Sequence, residues 1–266
     1  ALSTTSNSTY KQAVNTYKKY CRFIRIYPCP PDHEQLLLFI AYLAIYRKMT
    51  YAGIKSYVYG VRDWALNKNY KDPTKGSGRQ QHRYQKLMRG IKRARTGKRR
   101  IRKPLKHKYL IKMLMHTYSM APVDGACIRA ALTLAFYGFF RVSEYTVVPR
   151  KAKFLRKKDV KICKNHLKVR LRESKTDQFS KSTVRVYFNN MVDCPGKHFQ
   201  EYLQLSSHHR NSPVLMYQGA PLTAALFNRV FRNLVCRVGL NPNHFSSHSL
   251  RSGAASTAAE SGVPSW

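Results

Sequence analysis

Acidic side chains are what this chain of 266 residues has least of: 12 Asp and Glu stand against 49 Lys and Arg, a formal net charge of +37. From Pro73 to Val123 there is no carboxylate at all. So few carboxylates, with no cluster among them, supply no set of hard oxygen ligands for a metal-dependent nuclease. Cysteine is equally unpatterned. Cys21, Cys29, Cys127, Cys163, Cys194 and Cys236 form no Cys-x-x-Cys, and no paired histidines complete a zinc site, so reduced, mostly buried thiols are expected. No apolar run approaches the roughly 20 residues that span a bilayer. The opening Ala1-Leu2-Ser3-Thr4-Thr5-Ser6 lacks the basic and apolar blocks of a signal peptide. A first residue other than Met and a last residue Trp266 lead us to expect a piece of a longer product.

What is present is positive charge on a chain able to fold. Hydrophobic residues make up 43% and aromatics 12%, enough for packed cores and too many for a disordered basic arm. Such a charge repels itself unless a polyanion neutralises it, which points to nucleic acid. The charge alone would also suit a ribosomal or other RNA-binding protein.

Length and punctuation suggest two domains, 1–96 and 105–266, joined by a basic linker at 97–104. There Gly97-Lys98-Arg99-Arg100-Ile101-Arg102-Lys103-Pro104 places a breaker at each end of a dense positive run. Before it the periodicity is helical. Tyr10, Val14, Tyr17 and Cys21 recur at helical steps within 8–23, and Pro28-Cys29-Pro30-Pro31 interrupts. Asp32 caps a second helix and Thr50 a third; a fourth runs through Leu87, Met88 and Ile91. The outward faces are basic, with Lys55, Arg62, Arg89, Lys92, Arg93 and Arg95 as candidate DNA contacts beside the linker residues Lys98, Arg99, Arg100, Arg102 and Lys103.

After the linker, helices are expected over 105–118 and 126–140, the latter so apolar that it must be buried. The period then changes to two at 159–162, 166–171 and 183–188, an antiparallel meander whose second connection carries Ser174-Lys175-Thr176-Asp177. Helices resume over 192–205, 223–238 and from the Ser246-Ser247 cap toward Gly262. The fold class expected is mainly α with a small antiparallel sheet.

Two short motifs carry the chemistry: Gly138-Phe139-Phe140-Arg141-Val142-Ser143-Glu144 and, far downstream, His248-Ser249-Leu250-Arg251. Two guanidiniums brought together by folding form a permanently charged planar clamp for phosphate, and a histidine one helical turn from one of them adds proton transfer. Each piece has an ordinary counterpart. Arg141 and Glu144 could be a plain helical ion pair, His248 a cap, and Lys175 one surface lysine among several, with Lys181 a competitor.

Taken in order, the helical amino module, basic linker, buried helix into Gly-Phe-Phe-Arg-Val-Ser-Glu, three-strand meander and His-x-x-Arg helix resemble the tyrosine recombinase family over nearly the whole chain. The Phe136-to-Glu144 form and the Ser-Lys-Thr-Asp turn resemble eukaryotic mobile-element recombinases, such as cryptons and tyrosine-recombinase retrotransposons. The resemblance implies strand exchange without metal or other cofactor: a tyrosine attacks the scissile phosphate and leaves a phosphotyrosine and a free 5′-hydroxyl. It implies Arg141 and Arg251 on the non-bridging oxygens, Lys175 protonating the leaving oxygen, His248 assisting proton transfer, and Glu144 orienting the cluster. It also implies double-stranded DNA with inverted-repeat sites as partner, a homotetramer on that DNA, and a nuclear location in a eukaryote or a cytoplasmic one otherwise. One departure stands out: no tyrosine follows Tyr217. These 266 residues are therefore expected to bind DNA without cleaving it, and a domesticated, non-catalytic DNA-binding protein is the alternative.

Overall fold

The computed structural model describes residues 4–95, 102–149, 153–172 and 183–263. The chain divides into two compact units, Ala1–Arg99 and Arg100–Trp266, each with its own core.

The first unit is four helices: α1 (Thr4–Phe23), α2 (His33–Ile45), α3 (Tyr51–Asn67) and α4 (Gly78–Arg95). Local chemistry sets the starts of two of them. The Asp32 carboxylate accepts from the Gln35 N–H at 2.7 Å and the Thr50 hydroxyl from the Gly53 N–H at 3.3 Å, each satisfying a donor left over in a first turn. Tyr17, Phe39, Ile40, Leu43, Ile54 and Val58 fill the core with no solvent exposure. Gly60 lets α3 lie close on α1, since a methyl there would stand 2.8 Å from the Ala13 Cβ. His33 braces the connection before α4 through the Pro73 and Gln80 carbonyls, both at 3.1 Å.

In the second unit α5 (His107–Thr117), α6 (Pro122–Tyr137) and α7 (Val142–Tyr145) precede a three-stranded antiparallel sheet, β1 (Val160–Ile162), β2 (His166–Arg170) and β3 (Thr183–Tyr187), in that order. Next come α8 (Pro195–Leu205), a two-stranded ribbon of β4 (Met216–Tyr217) and β5 (Ala220–Pro221), α9 (Ala224–Arg237) and α10 (His248–Glu260). The register sets Val160 opposite Val169 and Leu167 opposite Val186, so one face of the sheet joins the core while the other meets solvent. The mainly helical class with a small antiparallel sheet is thus observed, and the β4–β5 ribbon is an addition to it. The thiols depart from expectation: all six are free, but only Cys21, Cys127 and Cys194 are buried, while Cys29 and Cys236 are exposed. Among the described residues no helix is long and apolar enough to cross a membrane.

α6 runs through the middle of this unit and is buried nearly all round, yet Arg129 lies within it. Its neighbour α8 contributes His198, whose Nε2–H donates to the Val192 carbonyl at 2.9 Å while Nδ1 lies 3.6 Å from the Glu201 carboxylate, too far for a hydrogen bond. Burial pushes His198 below the ordinary histidine range, and it pushes His208 the same way with help from Lys157. The unfolded chain therefore binds protons first as pH falls through about 6.5. The stability these neutral rings allow is complete above that pH and is lost below it. Urea unfolding should show stability declining from pH 7 to 5.5, and His198→Gln should flatten that decline. An unchanged slope in the variant would count against the assignment.

Candidate phosphate-binding site

The position of Arg141 follows from how α6 ends. Phe140 N–H donates to the Ala135 carbonyl and Phe139 N–H to the Phe136 carbonyl, both at 3.2 Å, the paired bonds of a Schellman stop. Glycine usually takes the left-handed place in such a stop. Here Phe139 takes it at φ +52°, and Gly138 stands one residue earlier at φ −90°. A left-handed non-glycine residue costs about 1–2 kcal/mol. Gly138 is needed for another reason: a methyl there would press on the Phe140 ring and sit 2.7 Å from the Leu134 carbonyl.

Arg141 then begins α7. The Glu144 carboxylate, 4% exposed, accepts from the backbone N–H of Arg141 at 2.8 Å and from its Nη1 at 3.0 Å. About a third of the Arg141 side chain (32%) remains exposed. The ordinary ion pair and the oriented arginine are thus one arrangement: the buried carboxylate grips both ends of the residue and fixes the direction of its guanidinium.

α10 brings the second arginine. Gly253 allows its backbone against Leu105, whose N–H donates to the Ser249 carbonyl at 2.9 Å. The chain just before is tied down as well, Lys103 N–H to the His244 carbonyl at 2.8 Å and Arg102 Nη1 to the Ser246 hydroxyl at 2.9 Å. From this footing Arg251 Nη1 donates to the Phe139 carbonyl at 2.5 Å. One hydrogen bond therefore joins α10 to the corner two residues before Arg141. His248 is the first residue of α10 and is exposed, so its imidazole stands at the positive end of a helix of 13 residues.

Not every residue proposed from sequence can be followed. Lys175, Lys98, Arg99, Arg100 and the side chain of Arg95 lie outside the described residues. Arg102 and Lys103 fall in the second unit, tied to the segment before α10. Lys55, Arg89, Lys92 and Arg93 are exposed; Lys55 lies over the Tyr59 ring at 5.6 Å and Arg89 Nε donates to the Gln85 carbonyl at 3.4 Å. Arg62 is engaged otherwise, its Nε donating to Asp72 at 2.7 Å; against the upward push of burial, hydrogen bonds from Thr74 and then Arg62 hold that carboxyl below its usual range. Two arginines escaped the sequence reading. Arg229 and Arg232 on α9 line a cleft of about 470 Å³ with Arg102, Asn228 and Asn233 beside Ser246 and Ser247. Their spacing of three on the polar face of an amphipathic helix was the available signal.

The fold has counterparts among solved structures of site-specific recombinases and integrases. XerH site-specific recombinase bound to palindromic difH substrate, in a post-cleavage complex, superposes with TM-score 0.62 at 16% identity, covering 96% of this chain and 69% of that one. A lambda integrase dimer bound to a COC' core site gives 0.59 at 15% identity, covering 98% and 85%. A lambda integrase tetramer bound to a Holliday junction gives 0.56 at 14%, covering 96% and 73%. The architecture is that of the tyrosine recombinases. No curated protein matches the chain in sequence. Residues 105–265 match the Phage integrase family, and the chain belongs to that family.

Proposed function

We propose that this protein is a DNA-binding tyrosine recombinase, which breaks and rejoins duplex DNA without metal through a phosphotyrosine. The observation that carries the reading is the bond from Arg251 to the carbonyl of Phe139, because it ties the helix bearing one arginine to the residue two before the other. In this reading Arg141 and Arg251 hold the non-bridging oxygens of the scissile phosphate. Charge builds there as phosphorus becomes five-coordinate, and donors already fixed by Glu144 and the Phe139 carbonyl need little reorganisation to meet it. His248 bonds a phosphate oxygen and assists proton transfer, and Lys175 protonates the leaving 5′-oxygen. The attacking tyrosine is assigned to no residue of this sequence. The 266 residues themselves are expected to bind without cleaving. By the same resemblance the DNA carries inverted repeats, the working assembly is a tetramer, and the protein serves a mobile element, in the nucleus if the host is a eukaryote and in the cytoplasm otherwise. The chain's charge and family, and the DNA-bound relatives of the same fold, support a DNA partner.

Fluorescence anisotropy against duplex DNA tests this. Affinity should fall steeply with salt, and a duplex bearing an inverted repeat should be preferred to a single strand. Arg141→Ala and Arg251→Ala should each weaken binding about 10-fold, as expected for one charged hydrogen bond of about 1.5 kcal/mol. Each should also lower the slope of log affinity against log salt by about 0.9. Binding that ignores salt, or that favours RNA or single strands, would overturn the reading.

A further inference from the structure

The solvent face of the three-stranded sheet holds charges of one sign in direct opposition. Lys161 on β1 is paired with Lys168 on β2, and Lys168 with Arg185 on β3, so three cations form one row across the sheet. All three are exposed. Arg170 lies two residues along β2 on the same face, opposite Thr183. Directly opposed side chains have Cβ atoms about 4.5–5.5 Å apart, and like charges at that distance weaken a sheet. The inner face of the same strands is built conventionally from Val160, Leu167, Val169 and Val186.

Among the described residues no carboxylate relieves this repulsion. Asp159, just before β1, is already committed: its carboxylate takes Arg172 at 2.6 and 2.8 Å and the Arg156 N–H at 3.0 Å. Among the described residues none of Lys161, Lys168, Arg170 and Arg185 forms an ion pair. Lys158 and Arg210 extend the patch around a concavity of about 570 Å³. A face so charged has no apolar centre of the kind a protein partner would cover. The aromatic pair on it, His166 and Tyr187, sits in the next row with centroids 5.6 Å apart and planes tilted by 45°, at the edge of the cationic row.

We propose that this sheet face is a second contact surface for the phosphate backbone of duplex DNA, separate from the Arg141–Arg251 corner. It rests on the reading of the protein as DNA-binding. The row trades stability of the free protein for affinity: opposed cations destabilise the empty sheet, and counterion release on binding a polyanion repays the repulsion.

The test is a triple substitution of outward residues, Lys161→Gln, Lys168→Gln and Arg185→Gln, with two readouts on the whole 266-residue chain. In duplex binding the slope of log affinity against log salt should fall by about 2.7, near 0.9 for each phosphate contact. In thermal unfolding at low salt without DNA the midpoint should rise. Lys168→Gln alone, a milder change, should lower the slope by about 0.9. A wild-type protein that binds duplex, beside variants of unchanged salt slope, overturns this proposal and leaves the recombinase reading standing. Loss confined to single-stranded DNA or RNA overturns it too, as does a triple variant with a lower midpoint. Failure of the wild type to bind duplex at all overturns the DNA-binding reading itself.

Discussion

Glu201→Ala is expected to destabilise the second unit by about 2 kcal/mol, below the range for a fully buried ion pair because the Glu201 side chain is 35% exposed. Arg129 sits in the most deeply buried helix with only 4% of its side chain exposed. Its Nη2 and Nε reach the Glu201 carboxylate at 2.5 and 3.3 Å, its Nη1 donates to the Thr117 hydroxyl at 3.1 Å, and its guanidinium lies 4.0 Å from the Tyr118 ring centre. Truncating Glu201 leaves that cation in an apolar surround without its counter-charge. Arg129→Met removes the charge and keeps much of the volume, so it should be far milder, within about 1 kcal/mol of the original. The double substitution should resemble Arg129→Met alone. Urea denaturation of the three variants decides it. If Glu201→Ala proves as mild as Arg129→Met, the pair does not act as a buried charge.

A single methyl should be nearly as damaging at Gly253. A Cβ there would land on the Leu105 carbonyl oxygen, 2.8 Å from its carbon and 2.9 Å from the Leu105 nitrogen. These are backbone atoms held by their own hydrogen bond to Ser249, so they cannot swing aside like a flexible side chain. α10 must move instead, at about 1–3 kcal/mol or more. The displacement reaches both His248 and Arg251, so DNA affinity should fall along with thermal stability. Gly90 offers a control of opposite sign. It lies inside α4, and a methyl added to it would meet nothing within 4 Å, so Gly90→Ala should stabilise by about 1 kcal/mol. Two alanines of equal stability would refute the backbone-contact argument.

The features legible in the sequence were those decided locally or by a clean period. Asp32 and Thr50 cap because a short oxygen-bearing side chain meets the open donors of a first turn, and no distant contact is needed. β1 to β3 showed themselves by alternation because one face is buried. β4 and β5, at two residues each, are too short to have a period. The run before Arg141 read as a very apolar, buried helix, and Arg129 inside it is intelligible only once Glu201 and Thr117 arrive from elsewhere. That helix also stops earlier than its hydrophobicity suggests, because Phe139 and not glycine turns left-handed. Arg141 and Arg251 were visible as motifs. What joins them was not, since Arg251 holds a backbone carbonyl, and a carbonyl is common to every residue.

The ties of Arg102, Lys103 and Leu105 to the segment from His244 to Ser249 have a bearing on the order in which the protein is made. The Arg102–Ser246 bond spans 144 positions. A chain growing from its amino end exposes Leu105 long before Ser249 exists, so α5 and α6 must wait with one flank uncovered. Contacts of such separation close late, after the entropy of the intervening loop has been overcome. The corner that gathers Arg141 and Arg251 is therefore among the last parts of the unit to form, and a ribosome-bound chain stopped before Ser249 lacks it altogether.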